Sequence, residues 1–437
     1  MKRSSTNRKL WQHLIALLCM GVISVLPGCD SKAPESALDI DTGLTAEPAT
    51  AQFKALDADQ ASTLRQILRR YLEQADDNFD RVADSLSRLQ YAVSEFLGTP
   101  APDTLAAARS AWLDAHSAYE YTGLHRYLAD LLIEDSNRLR WLEQQYRINH
   151  WPILPGFIDY VSNYPGSGII YDTGVELNPN TLRQQHGAFA IDEVTTGFHV
   201  LEFLLWGEYA DGVASRPVTD FEQQSVLSAE QLADGYAIDQ VPPNRRRELL
   251  QLVSNALQED FEVLHTMWNN ISENTRAELS DLKGSEILWL LLQSNISMLT
   301  EEMLVRSLYP LLNREYQDSF QSPYSRTTAT TVSVQLNSVE ELLLHNPDAG
   351  GLTLDRVLAD LSADFEVFFY QGFDAIKGCM AMLYSGFTPP ESEQDTLRLE
   401  FQIVECINPV TNLIDHLQRI SLTLLDANET NPVESQQ

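Results

Sequence analysis

The stretch Leu64–Phe96, LRQILRRYLEQADDNFDRVADSLSRLQYAVSEF, decides the fold class. Its apolar residues fall at Leu64, Ile67, Leu68, Tyr71, Ala75, Phe79, Val82, Leu86, Leu89, Val93 and Phe96. Steps of three and four at a period of about 3.6 place them on one stripe of a helix. Gly98-Thr99-Pro100 marks the stop,. Working outward, the pattern recurs. A second helix follows Pro102-Asp103 and carries Ala111, Trp112, Ala115 and Tyr119; it runs on towards Tyr146 with a break near Gly123. A helix is expected from about Gly187 to Trp206, and another after Pro242-Pro243 with Leu249, Leu250, Val253, Leu257, Phe261, Leu264 and Trp268 on its stripe. Residues 208–240 read as irregular. Val332, Leu336, Val339 and Leu343 keep helical spacing, and Leu397–Leu425 reads as the last helix. Strand-like alternation with hairpin turns is absent from the sequence. The fold class is all-α: two successive helical bundles of the four-helix type with a site at their interface, covering residues 57–278 and 279–427.

The ends read differently. Lys2, Arg3, Arg8 and Lys9 precede the apolar run Leu10–Leu26, and LPGC follows at Leu26–Cys29. Residues 1–28 are expected to be an export signal, and LPGC resembles a bacterial lipobox, which implies cleavage before Cys29 and a lipid on its sulfur. A plain N-terminal membrane anchor is the alternative. Either places the body outside the cytoplasm, facing the periplasm, and Asp30 after the lipidated cysteine favours the inner membrane over the outer. Residues 29–56 lack apolar periodicity and read as a flexible tether; 428–437 read as a loose tail. The formal charge of -32 over 437 residues argues against a nucleic-acid partner and suits a cation ligand,. Cys379 and Cys406 flank Pro389-Pro390 at similar distances, so an exported chain could bridge them; two free buried thiols are the alternative,.

Thr195–Gly207, TTGFHVLEFLLWG, places His199 and Glu202 three residues apart in an almost wholly apolar stretch. On a helix both point to one face, with Trp206 a turn further on. An imidazole nitrogen and a carboxylate oxygen so placed can bind one metal ion, or pair with each other in a core. The spacing alone leaves both open. Other segments bear on the choice: AARSAWLDAHSAY at Ala107–Tyr119, INHWPILPGFIDYV at Ile148–Val161, RPVTDF at Arg216–Phe221, RRRELL at Arg245–Leu250 and SFQSPYSRTT at Ser319–Thr328. Together with Gly197-x-His199-x-x-Glu202 and Phe203–Gly207, they resemble the imelysin family over roughly residues 60–425.

The resemblance implies an exported bacterial protein tied to iron supply, with a divalent or ferric metal ion, iron among them, or a metal-linked ligand at His199 and Glu202. Its partners would be other cell-envelope iron-uptake components. Gly197 would permit close approach to the site, and Arg126 would orient a carboxylate or bound anion. Many relatives carry a glutamate where this chain has Gly123, and Glu120 or His125 are candidate replacements. A metal-dependent peptidase of the imelysin type is the alternative. Such an enzyme needs about three protein ligands and a general base, yet Phe203 follows Glu202, so the layouts His-Glu-x-x-His and His-x-x-Glu-His are not met,. His116, His125, His150 and His186 would have to supply ligands from a distance. A third reading is an interaction protein in which His199 and Glu202 are a structural pair and the aromatic loop Trp151–Tyr164, with Trp206, lines a groove.

Overall fold

The Leu64–Phe96 stripe lies within helix α1, Ala58–Gly98, and its apolar residues are buried. Asp57 caps the start, its carboxylate accepting from Gln60 N at 2.8 Å, which satisfies one of the amides a helix start leaves free. The structure is a computed structural model that describes residues 53–425 except 211, 212, 215, 317, 345–352, 363, 364, 366 and 388. The export signal, Cys29, most of the tether and the tail fall outside the described residues. Residues 53–56, the end of the expected tether, already belong to the body: Phe53 is buried and pairs with Leu425, and Lys54 N donates to Leu424 O at 2.9 Å.

The other long helices are α2 (Pro102–Tyr121), α3 (Gly123–Leu132), α4 (Asp135–Asn149), α5 (Phe198–Trp206), α6 (Pro242–Glu278), α7 (Gly284–Met298), α8 (Thr328–Leu343), α9 (Gly372–Tyr384) and α10 (Glu393–Thr423). The fold is all-α, with one antiparallel hairpin of two-residue strands at Tyr209–Ala210 and Val213–Ala214. Helix α1 packs on α2 and α6. Phe79 stacks on Trp268 at 4.9 Å, and Asp76 accepts from Trp268 Nε1, Ser272 Oγ and Arg276. Helices on either side of residue 279 pack together: α7 lies on α1 and α3, and α8 lies on α2. After Met298 the chain continues as a π-helical stretch, Leu299–Leu308. Cys379 and Cys406 form a disulfide that ties α9 to α10, with Cα atoms 5.5 Å apart. Among the described residues no helix is long and apolar enough to cross a membrane.

The helix expected over 187–206 is shorter. Only Phe198–Trp206 is helical, because Gly187 (φ 65°) and Gly197 (φ 102°) turn the chain out of helical geometry,. The segment between them is held by tertiary bonds instead: Leu154 N donates to Asp192 O at 2.8 Å, and Tyr146 Oη to Ile191 O at 2.7 Å.

Candidate functional site

Helix α5 is buried along its whole length, so its polar groups must find partners inside the protein,. Helix α2 supplies several. Trp112 Nε1 donates to Phe198 O at 2.9 Å, and Arg109 donates to Leu205 O through Nε at 3.1 Å and Nη2 at 2.8 Å. The guanidinium thus covers a carbonyl left open at the helix C-terminus, where positive charge is favoured. The start of α5 is set by Gly197: a Cβ there would lie 2.7 Å from the carbonyl oxygens of both Arg147 and Ile148. This is the close approach expected of that glycine, and it seats α5 against α4. Trp206 lies at the other end, edge-on to Trp112 at 5.4 Å and under the Arg109 guanidinium.

His199 and Glu202 meet. His199 Nδ1 lies 3.1 Å from Glu202 Oε2, and both side chains are almost fully buried. Glu202 Oε1 accepts from Ser325 N at 2.7 Å and Ser325 Oγ at 2.6 Å. A carboxylate only accepts, so His199 Nδ1 carries the ring proton and Nε2 keeps its lone pair. Burial lowers the His199 pKa, against the opposing pull of Glu202, and keeps the ring neutral,. The ring packs edge-on against Trp151 at 5.1 Å and His116 at 5.3 Å. It lines a cavity of about 140 Å³ shared with Asn149, Trp151, Arg306, Asp318 and Gln321.

A second buried polar group adjoins this one. Glu120 Oε1 lies 3.3 Å from His116 Nε2 and accepts from Asn149 Nδ2 at 2.6 Å, and its Oε2 accepts from Gln335 Nε2 at 2.7 Å. Burial alone would raise the Glu120 pKa, but His116, Arg126 and Gln335 together hold it down at about 2. Gln335 Nε2 also reaches Glu302 Oε2 at 3.3 Å, and Tyr127 Oη donates to Glu302 Oε1 at 2.7 Å. Arg126 lies over the Tyr119 ring at 4.2 Å and bonds Gln145 Oε1 at 3.3 Å. Burial lowers its pKa, but the field of Tyr119, Glu120 and Glu302 more than offsets this. Arg126 therefore faces Glu120 and Glu302, carboxylates of the protein itself. At position 123 a Cβ would meet Met298 Cε at 2.9 Å and Arg126 Nη2 at 3.6 Å, so the methionine fills the space a side chain there would need.

His125 goes elsewhere. Its Nδ1 is 2.7 Å from Tyr71 Oη and its Nε2 is 3.0 Å from Asn78 Nδ2, and burial and Arg126 lower its pKa to about 3. Of the two candidate replacements, only Glu120 sits beside the His199 group. His150 packs on Tyr146, and His186 accepts from Thr195 N at 3.2 Å. Burial lowers their pKa values to about 4 and about 3.

Several participants were not singled out from sequence. Ser325 lies in the serine-rich segment Ser319–Thr328, and Asn149 opens the Trp-Pro loop, so their segments carried a signal. Glu302 and Gln335 carried none, being ordinary residues of apolar helices. The arginine-rich segments prove to be anchors. Asp159, fully buried, accepts from Arg246 at 2.6 and 2.9 Å and pairs with Arg216 Nη1 at 2.9 Å. Arg245 donates to the carbonyls of Ile169, Ile170, Asp172 and Val175. These bonds fix the loop that brings Trp151 against His199.

The donor set tests what the cavity can hold. Among the described residues no three His, Cys, Asp or Glu side chains converge as a closed metal cage requires,. The cavity is lined by His199 and by Asn149, whose buried Oδ1 has no hydrogen-bond partner among the described residues. One imidazole nitrogen and one amide oxygen fit a hydrated or chelated ion that keeps most of its own ligands.

Comparison with known proteins agrees with this picture of the fold. The chain is similar in structure to a protein from Parabacteroides distasonis described provisionally as an iron-regulated protein A precursor, with TM-score 0.59 and 12% identity over 85% of this chain and 96% of that one. An imelysin-like protein from Psychrobacter arcticum aligns with TM-score 0.47 and 13% identity, covering 84% of this chain and 95% of the other. No curated protein matches the sequence significantly. The family model for imelysin, peptidase M75, matches residues 75–414. The chain belongs to the imelysin family.

Proposed function

We propose that this protein is a lipid-anchored, periplasm-facing member of its family that binds a metal ion, or a metal-linked ligand, in iron acquisition. One observation carries the reading: a buried neutral histidine whose Nδ1 is held by Glu202, which leaves Nε2 with the lone pair, and whose ring lines a cavity. A carboxylate that orients a histidine in this way fixes the ring and makes its free nitrogen a better ligand. His199 is then the ligand, and Glu202 acts through it. This revises the sequence expectation that both coordinate side by side, since both Glu202 oxygens already have partners. The family's association with iron, and the description of the Parabacteroides relative, support iron as the metal. The acidic sequence suits a cation,.

The test is titration of the purified full-length chain with ferric, zinc and cupric ions, as wild type and as His199→Ala/Glu202→Ala, with casein digestion on the same samples. Stoichiometric metal that the double variant loses, without proteolysis, is the expected result. Metal-dependent digestion lost in the variant would replace binding by catalysis. Equal metal content in both proteins would make the pair structural.

A further inference from the structure

Trp151, which packs on His199, also lines a larger groove of about 470 Å³. Five further rings line it: Tyr316, Phe320, Tyr324, Tyr384 and Phe387. They brace one another. Phe320 lies 4.8 Å from Phe387 and 5.3 Å from Tyr384, Tyr316 lies 5.7 Å from Phe387, and Tyr324 lies 6.1 Å from Trp151. Pro152, Pro155, Pro323 and Pro389 also line the groove, and their fixed φ angles stiffen its backbone,. The groove is therefore preformed, and its volume is in the range of a small-molecule site. Burial, then the fields of Glu202 and Glu208, raise the Tyr324 pKa, so that ring is a neutral phenol.

Three described lining residues carry charge: Glu208, Asp318 and Arg326. Arg326 is engaged within the protein. Glu208 Oε2 accepts from Ser162 N and Oγ at 2.5 and 2.6 Å. Asp318 is different. Its backbone carbonyl accepts from Trp151 Nε1 at 3.1 Å, which sets the residue beside the indole. Its exposed carboxylate has no ion-pair or hydrogen-bond partner among the described residues. A neutral apolar ligand seated there would strip water from that charge without a compensating partner. An anion would meet two carboxylates against one engaged guanidinium. A cation gains from the free carboxylate and from the ring faces, whose quadrupoles attract positive charge.

We propose that this groove binds a small organic cation, an ammonium carried on an apolar body, with the charge held at Asp318 beside Trp151 and the body among the rings. The binding needs no metal ion, so it stands or falls separately from the reading of His199.

Three ligands of similar size test it: 2-phenylethylammonium, 2-phenylethanol and phenylacetate. Each is titrated calorimetrically into the full-length chain with EDTA present. Wild type, Asp318→Asn and Phe387→Leu are compared, with circular dichroism confirming the fold. The ammonium is expected to bind wild type about fivefold or more tighter than the alcohol, with phenylacetate weakest. Asp318→Asn keeps the backbone carbonyl that bonds Trp151. It should weaken the ammonium about threefold or more and leave the alcohol unchanged. Phe387→Leu should weaken both. Equal binding of ammonium and alcohol, an ammonium affinity that Asp318→Asn leaves unchanged, tightest binding by phenylacetate, or no binding of any of the three would each overturn the proposal.

Discussion

Replacing Glu202 by glutamine isolates what its charge does. Ser325 N and Oγ donate to Glu202 Oε1 at 2.7 and 2.6 Å, so the new amide must turn its oxygen towards Ser325. Turned the other way, it would leave those buried donors facing an NH2 group, at a cost of about 1–3 kcal/mol. With the oxygen so placed, the amide nitrogen faces His199 Nδ1 at about the present 3.1 Å. Two donors cannot share that bond. The ring proton must move to Nε2, and the Nε2 lone pair is lost. Changes to the partner of a metal-ligating histidine lower affinity by about 10- to 100-fold, or roughly 1.4–2.8 kcal/mol. The fold should lose about 1–3 kcal/mol as charge-assisted bonds become neutral ones. Long-range 1H–15N correlation of the His199 ring reads the tautomer, and zinc titration reads the affinity. A variant that keeps the proton on Nδ1 and binds zinc within about twofold of wild type would refute the reasoning.

Three other consequences concern the scaffold. Asp159→Ala leaves the buried guanidiniums of Arg216 and Arg246 without their shared carboxylate, and denaturant unfolding should show a loss of about 3–5 kcal/mol,. Gly197→Ala forces a Cβ against two carbonyl oxygens at positive φ; a loss well above about 1 kcal/mol is expected, with weakened metal binding, and equal stability to wild type would contradict the close-approach argument,. His125 titrates at about 3 in the folded protein because burial disfavours its charge, whereas it titrates near 6.5 when unfolded. The unfolded chain therefore binds the extra proton first, and stability falls as pH falls below about 6.5. Between pH 7 and pH 5 this histidine alone should remove about 2 kcal/mol, and chemical denaturation of His125→Gln should show a correspondingly shallower decline. Glu120, held at about 2, stabilises the fold at neutral pH and loses that contribution only as pH falls below about 4.5,.

The helices were legible because burial of a stripe is a local property. Leu64–Phe96 could not satisfy its apolar residues any other way, and the buried positions of α1 follow that spacing. The motif helix misled because its apolar run is continuous, and nothing in periodicity reports that Gly197 adopts φ 102° against the carbonyls of Arg147 and Ile148. At the site, the meeting of His199 with Glu202 was readable from spacing. Their relation was not, because Ser325, 123 residues further on, occupies the other carboxylate oxygen. For the same reason His125 looked like a candidate ligand: its partners Tyr71 and Asn78 belong to another helix. Long-range hydrogen bonds decide which face a polar residue serves, and a single sequence does not list them.

The account stands on His199 Nε2 as the atom that meets the metal. X-ray absorption of the zinc-loaded full-length protein tests this directly. One imidazole nitrogen at about 2.0–2.1 Å among oxygen ligands, lost in His199→Ala, is the predicted result. A shell of oxygens alone that His199→Ala leaves unchanged would contradict it.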